Sequence, residues 1–165
     1  TLKMSILKMM DRLKPKRIVI VSSAPQIRYP DCYGIDMAKL EGLIAFKATL
    51  ELLKERNLYH IVEDVYKKCK AQEHLKDSEI SNVVTEIYKP FEPQEISDKI
   101  ATMLSSTEIK AEVKIIFQSI EDLHMACPKN LGDWYFTGDY PTPGGNRVVN
   151  KAFMNFYEGK DARAY

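Results

Sequence analysis

An α/β fold is what this sequence predicts, on three observations. Two short β-branched runs, RIVIV at 17–21 and EVKIIF at 112–117, read as strands. Most of the remaining chain repeats its apolar residues at helical spacing. Between the first strand and the next helix lies an irregular stretch, SSAPQIRYPDCYGIDM at 22–37, dense in proline, tyrosine and aspartate. A long ordered loop at the end of a strand is where α/β proteins keep their ligands.

Leu2, Ile6, Met9, Met10 and Leu13 predict an opening amphipathic helix, which Pro15 cannot continue. The strand at 17–21 is expected to be buried on both faces of a parallel sheet. A helix followed by such a strand is the second half of a βαβ unit, so its first strand is expected ahead of residue 1. Leu40, Leu43, Ile44, Leu50 and Leu53 mark a second helix, and Leu58, Ile61, Val62, Val65, Tyr66 and Cys69 a third. Ile80, Val83, Val84, Ile87 and Tyr88 mark a fourth, closed before Pro90 because the residue ahead of a proline disfavours helix. Pro93 opens the next, with Ile96, Ile100, Met103 and Leu104 on one face. After the second strand, Ser119 is placed to cap a short helix at 120–126, with Glu121 and Asp122 in its first turn. From 128 to 146 no period survives, and a loop is expected. Val148, Val149, Ala152, Phe153 and Phe156 predict a terminal helix, with a frayed tail from Lys160.

The 165 residues suit one domain with a sizeable core. With 45% hydrophobic and 28% charged residues, the chain reads as globular rather than disordered. Its 24 basic and 23 acidic residues are interspersed, so no basic excess points to nucleic acid. No apolar run reaches the length of a membrane span, and no signal peptide opens the chain. Cys32, Cys69 and Cys127 form no CxxC pair and fit a reducing, cytoplasmic setting better than a disulfide framework.

The reactive side chains do not declare a reaction. His60, His74 and His124 lack the spacing of metal ligands. The cysteines read as idle or buried thiols. Asp133 and Asp139 flank Trp134 and Tyr135, which could frame a stacked ligand, but turn chemistry is the commoner cause. The PGG at 143–145 is a turn signal outside the strand-before, helix-after setting of a phosphate loop.

Two motifs carry further meaning. Ser23, Pro25, Ile27, Arg28, Tyr29, Pro30, Tyr33, Gly34, Ile35 and Asp36 resemble the segment that follows the phosphoribosyl pyrophosphate loop in the amidophosphoribosyltransferase family. FTGDYPT at 136–142 resembles the Phe–Thr–Gly–x–Tyr–Pro–Thr near the C-terminus of many members. The resemblance covers about residues 1–45 and 94–142. It implies the C-terminal part of a type I phosphoribosyltransferase-like parallel sheet, from 1–45 and 92–147, with a mostly helical insertion at 46–91 and a terminal helix and tail at 148–165.

In that family a glutaminase domain releases ammonia from glutamine. The ammonia displaces pyrophosphate from phosphoribosyl pyrophosphate to give 5-phosphoribosylamine, the first committed step of purine synthesis. The resemblance implies Mg²⁺ for the parent enzyme, phosphoribosyl pyrophosphate and glutamine as its substrates, and a homo-oligomer without nucleic acid or membrane partners. No catalytic residue of the family falls in this chain, which is expected to be inactive by itself. Thr1 matches a threonine of the phosphate loop, where a helix N-terminus offers free N–H groups. Arg28, Tyr33, Gly34 and Asp36 are read as loop architecture. Arg28 is suited to tie loop carbonyls or Asp36, with contact to substrate phosphate as the rival role. Some members hold an iron–sulfur cluster through cysteines where this chain has Asp31, Gly132 and Tyr135. No cluster is therefore expected here. The alternative reading is a non-catalytic protein-interaction module derived from a phosphoribosyltransferase.

Overall fold

The computed structural model describes residues 5–33, 37–105, 108–129 and 132–164. The architecture is α/β. Strand β1 (Arg17–Ser22) pairs in parallel with β2 (Glu112–Phe117), in a register running from Arg17 opposite Glu112 to Ser22 opposite Phe117. A parallel pair needs a long crossover. Here it contains α2 (Ile44–Glu55), α3 (His60–Ala71) and α4 (Pro93–Leu104). α1 (Leu7–Asp11) precedes β1, while α5 (Ile120–Ala126), α6 (Trp134–Thr137) and α7 (Pro143–Tyr157) follow β2.

One face of the strand pair is core. Ile18 and Ile115 are buried, and α4 packs on β2 while α2 packs on α4. The other face is bare: Val19 is 46% exposed, Val21 71% and Ile116 44%. The expected burial of β1 on both faces is therefore not met, because among the described residues nothing covers that side. Phe46, Leu53, Val65, Ile87, Ile100 and Phe153 belong to one continuous core that joins the 46–91 stretch to the segments around it.

Local chemistry explains the other departures. Leu40–Gly42 forms a 3₁₀ turn, and α2 starts only at Ile44 after two extended residues, Lys39 and Leu43, flank that turn. The helix expected at 80–88 is a 3₁₀ turn, Val83–Ile87. The Asn82 side chain accepts from the Val84 N–H, a local bond that competes with the helical pattern. Its apolar residues are core all the same, with Val84, Ile87 and Tyr88 buried. The expected loop at 128–146 contains α6, and α7 opens at Pro143 rather than near Val148. Proline suits the first turn of a helix, where its missing N–H would be unpaired anyway. The tail is held as well: Asn155 Nδ2 donates to the Ala162 and Arg163 carbonyls, and Lys39 pairs with Asp161. Ser119 caps α5 as expected, its hydroxyl accepting from the Asp122 N–H at 3.0 Å.

Candidate functional site

The loop after β1 is tied down from three sides. Ser22 Oγ donates to the Ala24 carbonyl at 2.9 Å and turns the chain as it leaves the strand. Gln26 is buried, and its amide donates to the Pro93 carbonyl (2.7 Å) and to Ser97 Oγ (2.8 Å), both on α4. With its nitrogen fixed there, the Gln26 oxygen accepts Arg28 Nε (3.1 Å) and Nη2 (2.8 Å). The Arg28 guanidinium also lies 5.3 Å from the centre of the Tyr88 ring. Burial lowers the Arg28 pKa from its ordinary value.

Downstream residues hold the same loop. The Tyr88 hydroxyl donates to the Arg28 carbonyl at 2.6 Å. The Arg28 and Tyr29 N–H groups both donate to the Tyr135 carbonyl, at 2.8 and 3.1 Å. Tyr140 donates from its hydroxyl to the Pro30 carbonyl, 110 residues away, at 2.7 Å. Tyr135 donates to Asp31 Oδ1 at 2.8 Å, and the Tyr33 N–H donates to Asp31 Oδ2 at 2.9 Å. Gly138 makes the approach possible. Its φ is +81°, and a Cβ there would sit 2.9 Å from Tyr29 Cζ. Burial raises the pKa values of Tyr29, Tyr88 and Tyr140 well above a phenol's ordinary value. Tyr135 is pushed to about 12, first by burial and then by its bond to Asp31.

A cleft of about 390 Å³ opens beside this loop, lined by Pro25, Gln26 and Arg28 from the end of β1 and by Phe117, Gln118 and Ser119 from the end of β2. It therefore lies at the carboxyl ends of both parallel strands, the usual ligand position in open α/β sheets. Arg28 is its cationic group. Glu92 and Glu121 also line it. The Glu92 carboxylate accepts from the α4 backbone in a capping box. Such a cleft can bind and orient an anion.

A second cavity, of about 270 Å³, lies between α3 and α7 and is lined by Cys69, Ile80, Asn150 and Met154. Burial pushes the Cys69 thiol to about 12, which makes it a poor nucleophile, so the cleft at the strand ends is the better candidate. His124 Nε2 lies 2.8 Å from Asp133 Oδ2, a pair that spacing did not suggest. Among the described residues, no three His, Cys, Asp or Glu side chains converge on a metal position.

Of the residues singled out from sequence, Arg28 is half-buried on the cleft wall and Tyr33 is exposed, its ring edge-on to Trp134 at 5.7 Å. Thr1, Gly34 and Asp36 lie outside the described residues. Asp31 and Tyr135, two positions at which the resemblance places cluster cysteines in some members, are bonded directly to each other. Sequence reasoning missed Gln26, Tyr88 and Tyr135 as loop anchors. Gln26 had no signal, and Tyr88 was absorbed into an apolar period.

The molecule is thus an α/β protein with a two-stranded parallel sheet, many helices and a cleft at the strand ends. It is similar to the amidophosphoribosyltransferase of Saccharomyces cerevisiae (strain ATCC 204508 / S288c), with 31% identity over 107 residues. The match covers 60% of this chain and 21% of the relative, so the chain spans about a fifth of that protein's length. This supports a distant relationship. No family model matches the chain, and no solved structure matches it.

Proposed function

We propose that this chain is the C-terminal part of the phosphoribosyltransferase domain of an amidophosphoribosyltransferase. Its parent would make 5-phosphoribosylamine from phosphoribosyl pyrophosphate and glutamine. One observation carries the reading. The two segments that resemble the family, 23–36 and 136–142, bond to each other through Tyr140 and the Pro30 carbonyl, 110 residues apart. Segments that serve one site are expected to meet in space, and the distant yeast relative points the same way.

In this reading the chain supplies scaffold rather than reacting groups. The Gln26–Arg28–Tyr88 knot, with Tyr33, Gly34 and Asp36, sets the course of the loop at the strand ends. Thr1, outside the described residues, would belong to the phosphate-binding loop, as the resemblance implies. Mg²⁺ would neutralise the donor's pyrophosphate in the parent, held by acidic groups ahead of Thr1. An iron–sulfur cluster has no place in the proposal, because Asp31 and Tyr135 hydrogen-bond where thiolates would be needed. The chain alone is inactive, the parent is a cytoplasmic homo-oligomer, and neither nucleic acid nor membrane is a partner.

The test is complementation. The complete gene product, expressed in a yeast strain that lacks its own amidophosphoribosyltransferase, should restore growth without added purine. Its extract should release pyrophosphate only when glutamine and phosphoribosyl pyrophosphate are both present. A stable product that neither restores growth nor releases pyrophosphate would leave the non-catalytic interaction module as the better account. The bare apolar face of Val19, Val21 and Ile116 favours that second reading.

A further inference from the structure

We infer that the cleft at the strand ends binds a small oxyanion, a phosphate or carboxylate group of a ligand, on the free edge of the Arg28 guanidinium. Among the described residues the Arg28 guanidinium has no counter-charge. Arg28 gives Nε and Nη2 to the neutral Gln26 amide oxygen and lays its plane near the Tyr88 ring. No carboxylate pairs with it among the described residues; its partners there are the Gln26 oxygen and the Tyr88 ring, both neutral. A cation partly withdrawn from water without a counter-ion carries a cost, which proteins ordinarily offset with an anion or full hydrogen bonding.

Arg28 lines the 390 Å³ cleft, a volume ample for a phosphate or a small carboxylate. A guanidinium is a planar fork that matches the paired oxygens of either group. The Gln26 brace removes much of the freedom an arginine usually has. Because that amide is itself fixed by Pro93 and Ser97, the fork is held before any ligand arrives. Gln118 and Ser119 line the same cleft and offer uncharged polar groups to the ligand's other atoms. Glu92 and Glu121, which also line the cleft, disfavour long polyanions and favour a small ligand with one anionic group.

This inference stands apart from the transferase proposal and can hold if complementation fails. The experiment is a titration of the 165-residue chain with inorganic phosphate at fixed ionic strength, chloride replacing phosphate in the control. Nuclear magnetic resonance should show the Arg28 Nε–Hε signal and the Gln118 and Ser119 amides moving together and saturably, with a dissociation constant of about 1–10 mM. The Ile18 and Ile115 amides in the core should stay still. R28K keeps the charge and loses the fork, and it should weaken phosphate binding about tenfold. A parallel titration with acetate identifies the group. Tighter binding of phosphate assigns a phosphate ligand, and equal or tighter binding of acetate assigns a carboxylate. Arg28 shifts no larger than in chloride, or shifts confined to surface lysines, would overturn the inference. So would unchanged affinity in R28K. If R28K does not fold, the wild-type shift map decides alone.

Discussion

At the scale of single residues, the knot around the β1 loop is where small changes act. Tyr88 is buried, and its hydroxyl is the donor to the Arg28 carbonyl at 2.6 Å. Removing that hydroxyl leaves a part-buried carbonyl without its partner while the ring still fills its space. Y88F should therefore cost about 1–3 kcal/mol of folding stability. The change would appear as a lower urea midpoint with an unchanged slope. A midpoint within error of the parent would show that water or another group replaces the hydroxyl. The same tyrosines set an alkaline limit. Tyr29, Tyr88 and Tyr140 have pKa values raised mainly by burial. Above a phenol's ordinary value of about 10, the unfolded chain sheds protons that the folded chain keeps. These groups leave stability independent of pH below that value. They erode it as pH rises toward their folded values, by up to about 1.4 kcal/mol per pH unit for each group. In an alkaline titration, tyrosinate absorbance from these rings should appear together with loss of circular dichroism. Smooth ionisation of every tyrosine in a still-folded chain would contradict the burial seen here.

At the scale of elements, Gly145 separates propensity from packing. It lies in the first turn of α7, where alanine would ordinarily be the better helix former by about 1 kcal/mol. Yet a Cβ there would stand 2.5 Å from Tyr140 Cδ1, and the Tyr140 hydroxyl is bonded to the Pro30 carbonyl. G145A should therefore destabilise the protein, with the sign opposite to propensity, because Tyr140 must give up its place or α7 must shift. A higher melting temperature in G145A would mean that the turn relaxes easily. Gly145 also shows what could be read beforehand. Pro143 and its two glycines looked like turn chemistry, but Pro143 opens α7 and Gly145 is packed against Tyr140. The strands and most helices were legible because their signal is local: β-branched runs at 17–21 and 112–117, and apolar periods through α2, α3 and α4. The 3₁₀ turn at Val83–Ile87 carried the same apolar spacing as a helix, but the Asn82 side chain takes up the Val84 N–H. The candidate site was half legible. Arg28 stood out by type, whereas its brace, Gln26, depends on acceptors at Pro93 and Ser97 that no local pattern announces.

At the scale of the whole molecule, the bare face of the sheet governs behaviour in solution. The sheet has two strands, so each strand also has an edge with no neighbour among the described residues. Val21 is 71% exposed on that face, with Val19 beside it on β1 and Ile116 opposite Val21 in the register. Leu13 and Met9, just ahead of β1, are exposed as well. Contiguous apolar surface next to unpaired strand edges is a template for association. The isolated chain should therefore self-associate as its concentration rises, read as an increasing weight-average mass in sedimentation equilibrium. V21K places a solvated charge in the middle of the face and removes no buried contact, so stability should change by no more than about 0.5 kcal/mol. It should move the association to higher concentration while leaving the melting temperature near that of the parent. Two results would sink this account: a parent chain that stays monomeric at every concentration, or a V21K chain that associates as strongly as the parent. In the second case the contact would have to lie elsewhere on the surface.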